Sequence, residues 1–227
     1  MGTGHGGPAP MIDWNYMRDL LPRLLPALAV TFKATLGGMG MAMGLGLVWA
    51  LLRRSSNRMI SLPAALGVEF IRSTPLLVQI YFLFYVLPHW GVRLSPFATG
   101  VIALGIHYSA YLSEVYRAGI DAVPRGQWEA ALALNLRPGH TWRAVILPQA
   151  IPPVIPALGN YLVAMFKDTP LLSAITVLEL LQSAKIIGSE TFRYLEPLTL
   201  AGILFLGLSL LASAGIRFWE RHHAPIH

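Results

Sequence analysis

The chain has 227 residues, of which 55% are hydrophobic and only 12% are charged, whereas soluble domains carry about 25% charged residues. This composition excludes an ordinary soluble globule, and the apolar residues are grouped in long blocks without Asp, Glu, Lys or Arg. Cysteine is absent, which excludes disulfides, thiolate metal sites and cysteine nucleophiles. The net charge of +6 does not indicate a nucleic-acid partner, because in a membrane chain the placement of charges matters more than their sum.

Five uncharged blocks are long enough to cross a bilayer. About 20 helical residues, at about 1.5 Å each, span a hydrocarbon core of about 30 Å, and a helix satisfies its own backbone hydrogen bonds there. The sequence therefore predicts an all-α membrane protein with five transmembrane helices. We extend the first helix back to Ala27, with Lys33 reaching the interface along its flexible stem. The uncharged blocks are 35–52, 73–92, 94–113, 144–166 and 197–216.

Arginines assign the two sides of the membrane, because cytoplasmic flanks concentrate Lys and Arg. The joins after the first and third predicted helices and the segment after the fifth hold most of them: Arg53, Arg54, Arg58, Arg117, Arg125, Arg137, Arg143, Arg217 and Arg221. We therefore predict an amino terminus outside and a carboxyl terminus in the cytoplasm. Residues 1–23 would form a flexible external lead and interface segment, 24–221 the five-helix transmembrane domain, and 222–227 a cytoplasmic tail.

The longest predicted cytoplasmic segment, about 124–140, contains a short predicted helix at 127–136 between two prolines, Pro124 and Pro138. The residues that share one face of it at helical spacing are Trp128, Ala131, Leu132 and Asn135. Two interpretations stay open at this point. The helix is either a docking surface for a cytoplasmic partner or an amphipathic connector that lies on the membrane surface.

A motif in this segment resembles the EAA signature of permease subunits of bacterial ABC importers. It consists of Glu129-Ala130-Ala131, then Asn135, then Val145-Ile146-Leu147-Pro148 at the family's spacing. Asn135 stands where the family usually has Gly, and Val145 where it usually has Ile; Asn tolerates left-handed backbone better than most residues. The stretches 69–79, 114–120 and 167–171 resemble polar amino-acid uptake permeases, and 160–180 is most similar to ectoine and hydroxyectoine permeases.

The resemblance implies the type I ABC importer permease fold, in a bacterial cytoplasmic (inner) membrane. It implies uptake of a small polar zwitterion, an amino acid or ectoine or hydroxyectoine, by a subunit that is not itself an enzyme. The implied partners are a cytoplasmic ATPase dimer, a second permease subunit that is homologous or identical, an external solute-binding protein and the lipid bilayer. No cofactor is expected on this chain, because it lacks a G-x-x-x-x-G-K-[ST] phosphate loop; ATP and Mg²⁺ belong to the ATPase.

The resemblance also assigns the short helix as a coupling helix seated in a cleft of the ATPase. Glu129 would pair with a basic group of the ATPase, while Trp128, Ala131 and Leu132 fill the cleft. The complete set of expected coupling residues is Trp128, Glu129, Ala130, Ala131, Leu132 and Asn135.

Charge inside a bilayer costs several kcal/mol, which makes Asp168 a functional candidate. Asn160, Ala164 and Asp168 follow one helix face, and we expect Asp168 to accept the cationic part of a zwitterion along the substrate path. The alternative is that Asp168 and its neighbour Lys167 mark the outer membrane boundary.

Two hydroxyl side chains after Asp168 are further candidates for the path. If Pro170 breaks the helix, Thr169 and Ser173 lie where free backbone N–H groups can bind a substrate carboxylate. The alternative is that Thr169 caps a short external helix running to Lys185.

Two acid–base pairs at helical spacing lie close to predicted helix ends. Glu69 with Arg72, and Glu114 with Arg117, most simply neutralise each other, although both are possible gating ion pairs. His107 is interpreted as an interior histidine, and no metal site is expected.

Gly40 and Gly44 form a G-x-x-x-G motif, which permits close approach of a helix from this chain or another.

Two alternative functions stay open at this point. They are a secondary transporter driven by an ion gradient and a membrane scaffold that recruits a cytoplasmic partner.

Overall fold

The computed structural model describes residues 12–223, with side chains through residue 218, and these residues form helices joined by short turns. The α-helices of the described part are α1 Trp14–Arg53, α2 Arg58–Ser73, α3 Leu76–Tyr81, α4 Pro96–Asp121, α5 Arg125–Ala133, α6 Pro138–Thr141, α7 Leu147–Asp168, α8 Leu180–Thr191 and α9 Leu195–His223. A π turn and a 3₁₀ turn extend α3 to Trp90, a π turn at Trp142–Ile146 precedes α7, and a 3₁₀ segment at Thr169–Ile175 follows it. Residues 1–11 of the predicted lead and residues 224–227 of the predicted tail lie outside the described residues.

Helix α1 starts well before the predicted Ala27. The side chain of Asp13 accepts hydrogen bonds from the backbone N–H groups of Asn15 and Tyr16, both at 3.1 Å, and so caps a helix that begins at Trp14. At 40 residues the helix is about 60 Å long, twice the thickness of the hydrocarbon core. The predicted start was wrong because charged residues exclude lipid burial but not helix formation, and the predicted flexible lead is helical from residue 14 onward.

The second predicted span, 73–92, contains α3 and its extension to Trp90, which form a bent pair with the preceding α2. Thr74 and Pro75 are extended, which separates α2 from α3, and the two helices meet at 103°. The Gln79 amide closes the bend by donating to the carbonyl of Ile71 at 2.8 Å and to the hydroxyl of Thr74 at 2.7 Å. Counting uncharged residues did not predict α2, because its charged residues exclude it from the uncharged block 73–92.

Three stretches of the described chain are long and apolar enough to cross a membrane, and the bent pair brings the number to four. The three are Trp14–Arg53, Pro138–Ile175 and Leu195–Phe218. The remaining predicted span, 94–113, corresponds to α4, which has 26 residues and is about 39 Å long. It is less apolar than the others because it carries polar side chains, including buried Thr99, Ser109 and Ser113, that face the protein rather than lipid.

Helices α1 and α4 form the central packing of the molecule. A Cβ atom at Gly38 would lie 2.9 Å from the Cβ of Leu104, and one at Gly46 would lie 3.0 Å from the carbonyl oxygen of Ser109, so glycine permits this close approach. The G-x-x-x-G residues Gly40 and Gly44 have nothing within 4 Å of such an atom. The motif therefore makes no helix contact within the described part of this chain.

Candidate functional site

Helix α5 lies between α4 and α7 and ends in a left-handed turn at Asn135. Asn135 has φ +51°, and the N–H groups of Asn135 and Leu136 donate to the carbonyls of Leu132 and Ala131 at 2.9 and 3.0 Å. This arrangement satisfies carbonyls that a helix end would otherwise leave free. Asn135 therefore adopts a left-handed backbone conformation at the position where the family usually has Gly.

The inner face of α5 packs on its own chain. Ala131 is buried, and the half-buried ring of Trp128 meets the ring of Trp142 edge-on, with centroids 5.3 Å apart. Behind these residues lies a buried apolar cluster, which consists of Ile120, Val123, Ile146 and Ala150. Trp128 and Ala131 thus turn toward α4 and α7, which helical spacing alone does not reveal, because periodicity identifies a face but not its neighbour.

The outer face of α5 is exposed and partly apolar. Glu129 and Ala130 are exposed, and Leu132 and Leu134 keep 80% and 73% of their surface accessible. An open cavity of about 280 Å³ lies between α5 and the segment 138–142, and Leu132 lines it together with Trp128 and Ala131 of the inner face. Of the predicted coupling residues, Glu129, Ala130, Leu132 and Asn135 are exposed and therefore free to contact another protein.

The carboxylate of Asp168 faces a cluster of aromatic side chains. Its Oδ2 atom accepts a hydrogen bond of 2.7 Å from the hydroxyl of Tyr108, which is itself buried. The rings of His107, Tyr108, Tyr111 and Tyr161 surround this contact, with neighbouring centroids 5.2 to 6.3 Å apart. The Nδ1 atom of His107 lies 3.3 Å from the Gln79 Oε1, so this histidine is a partnered interior residue, as expected.

The sequence did not identify the tyrosines of this cluster. A usable signal was present, since Tyr108 and Tyr111 interrupt an otherwise apolar predicted span and Tyr161 directly follows Asn160. Asn160 itself is exposed, whereas its neighbour Tyr161 packs in the aromatic cluster. The structure thus brings Asp168 into the cluster and leaves the Asn160 amide accessible.

The region after Asp168 shows neither the helix break predicted at Pro170 nor the external helix predicted to be capped by Thr169. The 3₁₀ segment Thr169–Ile175 continues α7, and Pro170 lies in its first turn, where proline is tolerated. The buried Thr169 hydroxyl donates to the carbonyl of Phe166 at 2.7 Å, so it does not cap an external helix, and Ser173 is half-buried.

The external helix of this region is α8, and it begins at Leu180 rather than at Thr169. Glu179 caps it, accepting from the N–H groups of Leu181 and Gln182 at 2.9 and 2.6 Å. Burial raises the pKa of Glu179, and these two donors oppose the rise only in part. Because the 3₁₀ segment follows α7 directly, Thr169 does not begin a separate helix like the one that was expected to supply free N–H groups.

The predicted ion pairs belong to a larger network centred on Glu114. Its carboxylate accepts from Arg53 of α1 at 2.7 Å and from Arg72 of α2 at 3.4 Å, while its local partner Arg117 is 3.9 Å away. The other predicted pair, Glu69 with Arg72, also has a separation of 3.9 Å. Glu114 therefore joins three helices, and Arg53, only 12% exposed, is the partner that the sequence did not reveal.

A second charged group ties the opposite end of the molecule together. Arg193 lies 3.6 Å from Asp13, contacts Glu196, and places its guanidinium 4.2 Å from the centre of the Tyr16 ring. The N–H of Tyr16 and the charge of Arg193 hold the pKa of Asp13 below its usual range. These contacts connect the start of α1 to the start of α9.

Comparisons with known proteins agree with this arrangement. Residues 42–222 match the model of a family described as binding-protein-dependent transport system inner membrane component. A probable amino-acid ABC transporter permease protein of Sinorhizobium fredii, y4tG, is 54% identical over 215 residues, which are 95% of this chain and 90% of the relative. The L-cystine transport system permease protein TcyB of Bacillus subtilis is 36% identical over 219 residues, or 94% of each chain.

Two solved structures have the same fold. A crystal structure of an amino acid ABC transporter with histidines superposes with a TM-score of 0.87 and 37% identity, covering 94% of this chain and all of the other. An inward-facing MetNI methionine ABC transporter gives a TM-score of 0.73 at 17% identity with the same coverage, which shows the fold alone. The finer similarity to ectoine permeases stays a prediction. The type I importer fold and the family predicted from the EAA-like motif are confirmed, and the chain belongs to the inner membrane components of binding-protein-dependent transport systems.

Proposed function

We propose that this chain is the permease subunit of an ATP-driven ABC importer that takes up a small polar zwitterion delivered by an external solute-binding protein. The observation that carries the proposal is the mounting of α5, a short helix with a packed inner face and an exposed outer face, between two long helices. The amino terminus lies outside and the carboxyl terminus in the cytoplasm. The basic network around Glu114 would then lie on the cytoplasmic side, as the distribution of arginines requires.

In this proposal α5 transmits motion from an ATPase dimer to the membrane helices. Glu129 pairs with a basic group of the ATPase, and Leu132 with Ala130 enters its cleft. Trp128 and Ala131 take a different role from the one first expected: they hold α5 against α4 and α7. The ATPase binds ATP and Mg²⁺ and performs the hydrolysis, and this chain changes between two conformations in response.

The proposed substrate class follows from the polar residues in the membrane layer and from the relatives. Asp168 supplies a carboxylate for a cationic group, and the aromatic rings beside it can stabilise such a group through their faces. Asn160 and Ser173 supply polar contacts, whereas Thr169 is already engaged with its own helix. An amino acid is the substrate that the names of the relatives support, and ectoine or hydroxyectoine is the finer possibility that stretch 160–180 supports.

A second permease subunit, identical or homologous, would complete the path. The Glu114 network is the candidate gate within each subunit, because it joins α1, α2 and α4 through one carboxylate. A relative movement of these helices must break at least one of its arginine contacts.

Reversal of charge at Glu129 tests the coupling role. Glu129→Lys should abolish uptake and prevent co-purification of the ATPase, because a repulsive pair replaces an attractive one. Gln127→Lys introduces the same side chain on another exposed part of α5 and is the matched control. Both variants should insert into the membrane normally. Undiminished uptake by Glu129→Lys, or an equal loss in Gln127→Lys, would contradict the assigned docking face.

A further inference from the structure

An open cavity with several arginines lies where α1, α2 and α4 meet. Its volume is about 350 Å³. The residues that line it are Arg53, Arg58, Ser61, Leu62, Ala65 and Arg117. Arg53 and Arg117 also belong to the candidate gate around Glu114, but the proposed transport mechanism gives the cavity itself no ligand.

The cavity has more positive than negative charge. Arg53 and Arg117 share a single carboxylate, Glu114, and that carboxylate is shared with Arg72 as well. Arg58 is exposed and forms no ion pair among the side chains of residues 12–218. The cavity lining thus carries three guanidinium groups and no carboxylate, and the nearby Glu114 is shared among Arg53, Arg72 and Arg117. An anion entering the cavity therefore meets positive charge that the protein has not fully neutralised.

The start of α2 adds to this positive potential. Arg58 is the first residue of a 16-residue helix, capped by Asn57, whose side chain accepts only from the N–H of Met59 at 2.9 Å. Partial positive charge therefore remains at the helix end that borders the cavity.

An apolar face leads away from the cavity along α2. Its residues follow helical spacing and are strongly exposed: Met59 at 84%, Leu62 at 60%, Leu66 at 62% and Phe70 at 70%. Leu62 belongs both to this face and to the lining of the cavity. A ligand that occupies both the arginine-lined cavity and the apolar face of α2 must therefore be an anion with long apolar chains attached.

We propose that this cavity binds the phosphodiester headgroup of an anionic glycerophospholipid, with the acyl chains lying along the apolar face of α2. Arg58 and Arg117 contact the phosphate, since guanidinium groups bind phosphate oxygens with paired donors. Basic pockets between transmembrane helices commonly bind such headgroups. In the predicted orientation the lipid belongs to the cytoplasmic leaflet. The proposal does not depend on the import function.

Native mass spectrometry of the full-length chain in detergent tests this site directly. The chain is titrated with phosphatidylglycerol and, separately, with phosphatidylcholine of the same acyl chains. We expect tighter binding of the first lipid, and Arg58→Gln should weaken it about fivefold, the usual effect of one basic residue near an anionic surface. Arg58→Lys should retain most of the binding. Arg54→Gln is the matched control, because Arg54 is a neighbouring arginine that pairs with Asp121 and does not line the cavity.

Three outcomes would overturn the proposal. Equal affinity for the two lipids would show that charge does not select the ligand. Equal losses in Arg54→Gln and Arg58→Gln would show a diffuse surface effect rather than a site. Displacement of phosphatidylglycerol by glycerol 3-phosphate at similar concentration would show that the acyl chains contribute nothing, so that the site binds soluble phosphate.

Discussion

Truncation of Trp128 and of Leu132 separates the packing of α5 on its own chain from its proposed docking surface. Both residues are large, apolar and on the same short helix, but Trp128 packs on Trp142 while Leu132 is 80% exposed. Trp128→Ala should therefore destabilise the chain, and Leu132→Ala should leave its stability unchanged. Leu132→Ala should instead weaken binding of the ATPase.

The magnitudes follow from burial. Removal of a fully buried tryptophan costs about 3 to 5 kcal/mol, and half-burial together with the lost edge-to-face contact gives about 2 kcal/mol for Trp128. In a chain of this size that corresponds to a fall in Tm of roughly 5 °C. Leu132→Ala removes little buried area within the chain, and a leucine anchor in a partner's cleft is typically worth about 1 to 2 kcal/mol of binding, or about tenfold in affinity.

Two assays on the same purified variants measure these effects. The loss of the size-exclusion peak after heating reports stability without relying on tryptophan fluorescence, and titration with the purified ATPase reports affinity. The reasoning would be refuted if Leu132→Ala lowered the Tm as much as Trp128→Ala, or if Trp128→Ala alone weakened the ATPase complex while its Tm stayed at the wild-type value.

Three further changes test the substrate path, the helix packing and a buried carboxyl. Asp168→Asn should lower uptake of labelled substrate without weakening the ATPase complex, whereas Asp121→Asn, at an exposed acidic residue far from the aromatic cluster, should leave uptake near the wild-type rate. Gly119→Ala should cost about 1 to 3 kcal/mol in thermal stability, because its Cβ would lie 2.8 Å from the carbonyl oxygen of Ala150; Gly40→Ala, with open space around it, is the control and should not destabilise. The raised pKa of Glu179 means that the folded state holds its proton more tightly than the unfolded chain. Stability from this group is therefore fully present at acid pH and is lost as pH rises through the folded pKa, and Glu179→Gln should flatten that fall in Tm; an unchanged pH profile would count against it.

Local sequence features predicted much of the coupling segment. The EAA-like spacing located α5, and the preference of Asn for left-handed backbone agreed with the observed φ at Asn135. The first inference came from a resemblance to a known family, whose motif spans 129–148, and the second depends on the backbone preference of a single residue. The contact between Trp128 and Trp142 follows from neither inference, since it depends on how the π turn before α7 rotates the following chain.

Contacts between distant segments were not predictable from spacing. Arg53 and Glu114 are 61 residues apart, and the sequence offered Glu114 a local partner, Arg117, that proves to be the more distant one. The pairing with Arg53 arises because close packing of α1 on α4 brings these two ends together. A charge count likewise began the second span at Ser73, although the preceding chain with its charged residues is already helical, as α2, and bends at Thr74 and Pro75 into α3.

The buried cluster behind α5 determines what a displacement of that helix can do. Ile120 and Val123 come from the end of α4, and Ile146 and Ala150 come from the turn before α7 and its first residues. A close-packed interior transmits displacement because its side chains have no room to yield. Movement of α5 must therefore shift the ends of both long helices together, and α1 follows because it packs closely on α4. Since Arg53 of α1 and Arg72 of α2 meet at Glu114 of α4, the same displacement changes the separation of the groups in the candidate gate.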